Sequence, residues 1–239
     1  MPSKGNTTPI HLRITAIIVA ITLALAATYA IILAYANIIA SSTSGVLAAW
    51  DKEGAITDQS EPEIHRNRLK RALTMAPDNP EYLERLARYY QWRSTQYKPE
   101  SSENLEASQL ALDYYTRAIG AVPSWPYYWS GLIQLKHALW QYDDQMERAI
   151  QNAARYGPWF DNNQNIILLA GFQGWPYLSQ ASRDSVIQVL ENALKLQPKR
   201  VITQSLDNGY SSYLLPIINK DQELKSIYIQ ELIRRKRLL

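Results

Sequence analysis

The sequence predicts an all-α protein, with one N-terminal transmembrane helix followed by an irregular array of α-hairpins. Three observations lead there. No charged residue falls between Arg13 and Asp51, and about 20 apolar residues suffice to cross a bilayer as a helix. Beyond that run, apolar residues recur at helical spacing, as at Leu105, Leu112, Tyr115 and Ile119, and no stretch alternates as a strand would. An alanine also stands five residues before a proline at four places: Ala72 and Pro77, Ala118 and Pro123, Ala153 and Pro158, Ala193 and Pro198. The alanine lets two helices approach closely. The proline cannot occupy a helix interior, so it ends one helix and lets the next begin.

The apolar run, residues 14–40, reads as the anchor. A cleaved signal peptide has an apolar core of about 7–15 residues. This run is much longer, and the small-x-small triplet Ala34-Tyr35-Ala36 sits at its far end, so a retained helix is expected. Thr15, Thr22 and Thr28 interrupt it at little expense, because a threonine hydroxyl can bond a carbonyl one turn back. Lys4 and Arg13 precede the run with no acidic residue among them. Cationic flanks stay on the cytoplasmic side. Residues 1–13 are therefore expected inside and the C-terminal domain outside, which in a bacterium is the periplasm. Ala16, Ala20, Ala24 and Thr28 form a small-residue stripe that would permit helix association in lipid; a plain alanine-rich anchor reads the same way.

After the anchor, 41–60 is expected to be a juxtamembrane linker, with 46–56 extending the helix. The repeat domain is placed at 61–213 and a C-terminal helix with a basic tail at 214–239. Within these, helices are expected over 61–76, 80–92, 105–122, 127–142, 145–156, 162–172, 182–196, 205–213 and 222–238, with a polar linker at 95–103. Glu63 early and basic residues late in the 61–76 segment suit the helix dipole, as does the tail Arg234-Arg235-Lys236-Arg237. The tail reads either as a solvated helix end or as a contact for anionic headgroups.

Composition narrows the function. Residues after 40 carry 23 basic and 22 acidic side chains, without the basic excess of a nucleic-acid binder. There is no cysteine, hence no disulfide and no thiolate chemistry. Seven Trp and sixteen Tyr against two Phe favour rings with one wet end, suited to helix grooves and to sugar stacking.

The junction Ala72-Leu73-Thr74-Met75-Ala76-Pro77-Asp78-Asn79-Pro80-Glu81-Tyr82, followed by Leu83, Leu86, Ala87 and Tyr90, resembles tetratricopeptide repeats. That resemblance implies an irregular TPR-like α-hairpin solenoid. Trp129 and Leu132 keep the pattern at the second junction, whereas Ile133 departs from its small residue. The segment Asp144, Glu147, Ala149-Ile150, Ala153, Tyr156-Gly157-Pro158-Trp159, with Gln164, Gly171 and Trp175, resembles the VpsP-type family of exopolysaccharide biosynthesis proteins. This implies a single-anchor accessory protein for synthesis, polymerisation or export of a surface polysaccharide.

No residue pattern marks a reaction. His11, His65 and His137 lack partners at metal-ligand spacing. No phosphate-cradling glycine loop or Asp-x-Asp triplet occurs, and Asp143-Asp144 are expected to cap a helix. No catalytic, cofactor or metal residues are therefore assigned. The expected role is a non-catalytic adaptor on the bacterial inner membrane, docking protein partners of a polysaccharide assembly system. A glycan-binding or glycan-modifying periplasmic protein, and an assembly factor for another envelope complex, are the alternatives. Tyr82, Tyr90, Trp125, Trp129, Trp159 and Trp175 are the candidate partner- or glycan-binding residues. The clusters at Ser124–Trp129, Gly157–Phe160 and Gly174–Tyr177 form either a stacking platform or plugs for hairpin ends.

Overall fold

A computed structural model describes residues 9–57 and 62–237. Lys4, residues 58–60 of the expected linker, residue 61 of the expected repeat domain, and Leu238–Leu239 lie outside the described residues. The elements are α1 (Ile10–Ser41), α2 (Ser44–Glu53), α3 (Pro62–Met75), α4 (Pro80–Ser94), α5 (Ser102–Ala121), α6 (Pro126–Ala138), α7 (Asp144–Tyr156), α8 (Asp161–Gln173), α9 (Gln180–Leu196), α10 (Pro198–Asp207), α11 (Leu215–Ile218) and α12 (Gln222–Lys236). Single 3-10 turns lie at Trp175–Tyr177 and Ser211–Leu214. No strand occurs among the described residues. The chain forms two compact units, one through Arg85 and one from Leu86 onward. The boundaries expected at 40 and 60 both fall inside the first.

In the first unit, α1 is long and apolar enough to span a membrane. Thr15, Thr22 and Thr28 each donate to the carbonyl four residues back at 2.9 Å, so none of these three hydroxyls is left for lipid to solvate. The helix breaks at Ser42–Thr43 and α2 follows, ending at Gly54 in the left-handed region, where a Cβ would be strained. Ala36 and Ala40 of α1, Thr43, Leu47 and Trp50 are buried with His65, Leu69 and Ala72 of α3. Trp50 meets His65 edge-on at 6.5 Å. His65 and Ala72 thus serve packing, as their helical spacing implies.

In the second unit, α5 packs on α6, α6 on α7 and α8, α7 on α8 and α9, and α9 on α10. α6 and α7 therefore each meet both following helices, and α8 packs on α9. Ala118, Ala153 and Ala193 are fully buried, as expected of residues that bring helix axes close. Asp143 caps α7 by accepting from the Gln145 and Met146 N–H groups at 3.0 Å each. Ser101, Ser179 and Asp221 cap α5, α9 and α12 in the same way.

Two helices depart clearly from the sequence reading, the rest shifting by a few residues at their ends. The helix expected over 127–142 stops at Ala138, because Trp140 takes a positive φ and turns the chain. The helix expected over 205–213 is instead α10, which starts at Pro198 and ends at Asp207. Pro198 fits the first turn of a helix, where its missing N–H has no partner to lose. In the basic tail, Arg234 pairs with the buried Glu231, and Arg235 pairs with Asp207 at 2.7 Å. Two of the four cations are thus tied into the helical packing.

Candidate functional site: an aromatic and amide-lined cleft

The second unit contains a cleft of about 640 Å³ between the end of α4, the 95–105 connection and the end of α6. Its walls carry Trp92 and Trp140, the amides of Gln91, Asn104, Gln134 and Gln141, and Leu105, Leu135 and Leu139. Glu100 supplies the carboxylate of this lining. Apolar walls with a few placed polar groups are the usual make-up of a ligand site.

The cleft is shaped by how α6 stops. The Trp140 N–H donates to the His137 carbonyl at 3.0 Å, and the Gln141 N–H donates to the Lys136 carbonyl at 2.9 Å. This pair of bonds is the Schellman motif, whose C′ position is ordinarily glycine. Here that position is Trp140, with φ 56°. Glu100, also in the lining, has φ 65°. Among the described residues these are the non-glycine residues with positive φ. A bulky residue held there is strained, and such strain concentrates at binding sites.

Trp140 is 55% exposed. Its ring lies 5.4 Å from Tyr142 and 6.3 Å from Tyr177, edge-on to both, and Tyr142 stacks on Tyr177 at 5.7 Å. Behind this wall, the Tyr142 hydroxyl donates to the Ala170 carbonyl at 3.1 Å and meets His137 Nδ1 at 2.6 Å. With that proton committed to Ala170, His137 Nδ1–H is the donor. Burial pushes the Tyr142 hydroxyl up to about 12, helped by Tyr177. Burial also lowers His137, against a hydrogen bond to Gln173 that raises it. Both groups are neutral at pH 7 and act as orienting partners. A Cβ on Gly174 would fall 1.8 Å from the Tyr142 ring, so the glycine is what lets that ring lie flat on the 173–175 backbone.

Below the turn, Lys136 is 2% exposed and donates to Asp143 Oδ2 at 2.7 Å. Burial opposes ionisation of Asp143. The Lys136 bond, the Lys136 charge and the two capping N–H groups outweigh it and hold the carboxyl below its ordinary value. The capping role expected for this aspartate is thus joined by an ion pair that braces the α6–α7 turn.

The sequence-derived candidates separate into three groups. Tyr82 and Tyr90, offered as surface or groove residues, are buried. Tyr90 stacks on Tyr114 at 5.8 Å, because the face of α4 that carries it is a packing face. Trp129 and Trp175 are half-buried and close helix ends. Trp129 Nε1 donates to the Pro123 carbonyl at 2.7 Å, and Trp175 lies against Phe172, Tyr213 and Arg183. Trp125 and Trp159 are exposed, at 48% and 61%. The turns that carry them adjoin, since Tyr127 lies 5.7 Å from Trp125 and 5.5 Å from Phe160. Rings that close helix ends and rings that stand exposed are therefore both present, and the first cluster holds one of each in Trp129 and Trp125.

The stretch Tyr156–Trp159 owes its form to packing. A Cβ on Gly157 would meet Pro126 at 2.6 Å and Asn163 at 2.9 Å. Buried Asn163 donates to the Ala153 and Gly157 carbonyls at 2.8 and 2.6 Å, and Gln164 donates to the Pro158 carbonyl at 2.8 Å. Two side chains of α8 thereby satisfy the end of α7. Trp92 and Trp140 were absent from the sequence-derived set. The signal for Trp140 was available in Lys136-His137, basic residues of a last turn, followed by the cap at Asp143. No family model matches the chain, and a search of curated proteins finds no match.

Proposed function

We propose that the chain is a membrane-anchored, non-catalytic accessory protein of bacterial surface-polysaccharide assembly, and that its cleft holds a neutral glycan segment. The observation that carries this reading is the cleft lining: exposed Trp140, Trp92 and four side-chain amides around one carboxylate. Sugar rings present apolar C–H faces to aromatic rings and hydroxyls to amides. A glycosidase would need two carboxyl groups about 5–10 Å apart across the cleft, and Glu100 is the acid in this lining. The polysaccharide context comes from the resemblance around Tyr156–Trp159. The packing of α6 and of α7 on their next two neighbours supports the TPR-like solenoid reading. Arg13 ahead of the span and Asp51 after it support a cytoplasmic N-terminus and a periplasmic C-terminal domain. Alkaline-phosphatase and green-fluorescent fusions at the C-terminus test that orientation.

The binding test is calorimetric titration of the detergent-solubilised full chain with neutral oligosaccharides. Binding lost in W140A and W92A but kept in W159A supports the reading. No binding to any neutral oligosaccharide refutes it. A second reading, docking of a protein partner, is favoured by the exposed Trp125, Tyr127, Trp159 and Phe160 surface. It predicts the opposite pattern, with partner crosslinking lost in W125A and W159A and kept in W140A.

A further inference from the structure

We infer that the end of α1 and the cationic face of α3 form a collar that binds anionic phospholipid headgroups. The inference rests on the reading of α1 as a membrane span and on no property of the cleft. α1 has 32 residues, about 48 Å at 1.5 Å per residue, whereas a hydrocarbon core is about 30 Å thick. The excess lies at the C-terminal end. Ala36 and Ala40 are buried and Leu33 is partly covered, on the side where α3 packs, while Ile14, Ile17, Ile18, Val19 and Ile21 are exposed. The segment from Ile14 to Tyr35 alone spans about 33 Å, so the water boundary falls near Tyr35. A tyrosine is at home at that depth.

α3 runs antiparallel to the covered turns. Arg68 Nη1 reaches Ser42 Oγ at 3.5 Å, and the Arg71 guanidinium lies 5.4 Å from the Tyr35 ring centroid. Arg68 and Arg71 are both exposed. They lie more than 25 residues along the chain from the span, and the fold returns them to its end. Arg66, paired with Glu63, and Lys70 stand on the same helix. A guanidinium beside a boundary tyrosine lies at phosphate height, where it can bond a phosphodiester in bidentate fashion. Each such cation near an anionic surface strengthens binding about fivefold.

The test uses the full chain in phosphatidylcholine vesicles containing one fifth phosphatidylglycerol. Resistance to carbonate extraction is measured first. Spin-labelled phosphatidylglycerol and phosphatidylcholine then report which lipid is immobilised at the protein. The expected result is a preference for phosphatidylglycerol that fades in molar salt, drops at least fivefold in R68Q/R71Q, and persists in R68K/R71K and in the control K195Q/K225Q. Helix content by circular dichroism checks each variant. If R68Q/R71Q loses helix, the salt response of the wild type decides alone. Equal immobilisation of both lipids, a preference indifferent to salt, or one unchanged in a folded R68Q/R71Q overturns the collar while the anchor stands. Extraction by carbonate overturns the anchor, and the collar with it.

Discussion

Replacing Trp140 separates what its backbone does from what its ring does. At C′ of α6 the residue sits at φ 56°, where an L-residue costs about 1–2 kcal/mol and glycine almost nothing. Just under half of the side chain is removed from water. That is roughly 90 Å² of a tryptophan, about 2 kcal/mol, with another ~1 kcal/mol from the edge contacts to Tyr142 and Tyr177. W140A loses the ring and keeps the strain, so it is expected to cost about 3 kcal/mol. W140G loses the ring and relieves the strain, at the expense of a looser unfolded chain, and is expected to cost about 2 kcal/mol. Glycine should therefore be the more stable substitute by about 1 kcal/mol, the reverse of its standing inside a helix. For a unit of this size that is roughly 2–4 °C in melting temperature. Thermal and urea unfolding of the full chain in one detergent, followed by circular dichroism, measures the difference. Both variants should lose oligosaccharide binding equally. An alanine variant as stable as the glycine variant, or more so, would refute the strained-turn argument. Unequal binding would refute the assignment of the ring as the contact.

Three other outcomes follow from the same geometry. D143A removes a helix cap and leaves Lys136 buried without its partner, so it should cost about 2–4 kcal/mol. D143N, which keeps the cap, should cost less, and K136M, which removes the buried charge, least of all; urea midpoints order the three. Acid should destabilise the chain in two stages. His137 is lowered by burial, so below about pH 6.5 the unfolded chain takes up that proton first. Asp143 and Glu147 are also depressed. Ser179 and Ser182 hold Glu147 down against its burial, through Ser179 N–H at 2.6 Å and both hydroxyls. Their contribution is present above the unfolded carboxylate range near pH 4 and is lost as pH falls through their lower folded values. Melting temperatures from pH 7 to 3 should show both stages, and D143N/E147Q should flatten the second. G157A should cost about 1–3 kcal/mol by calorimetry, since its methyl meets Pro126 and the α7–α8 turn cannot yield without losing the Asn163 bonds.

The fold was legible where one local rule acts alone. The uncharged run from Ile14 to Ala40 leaves nothing but a helix as an economical structure in lipid, and α1 covers it. Ala72, Ala118, Ala153 and Ala193, each five residues before a proline, are all fully buried, because a close helix crossing needs a small residue just before a chain reversal. Legibility failed where a stop signal was unconventional. Pro198 read as the end of a helix, which it is for α9, but it is also the first residue of α10. One proline can do both when the Gln197 N–H is satisfied by the Ala193 carbonyl, here at 2.8 Å.

The cleft was illegible for a related reason. Sequence reasoning finds a helix end by its glycine, and α6 ends on a tryptophan. A residue type that contradicts its backbone conformation is invisible until φ is known, and the contradiction then becomes the most informative feature of the site. The candidates that the sequence did offer were aromatic residues beside prolines. Proline marks where helices turn, and turns are where rings are needed to close hairpin ends, which is how Trp129 and Trp175 are used. Trp140 has no proline beside it and closes nothing. Its turn is held by the Lys136–Asp143 pair and by two backbone bonds, none of which requires an indole ring. A large ring kept exposed, at a position that glycine would fill with less strain, is the observation on which the proposed glycan contact rests.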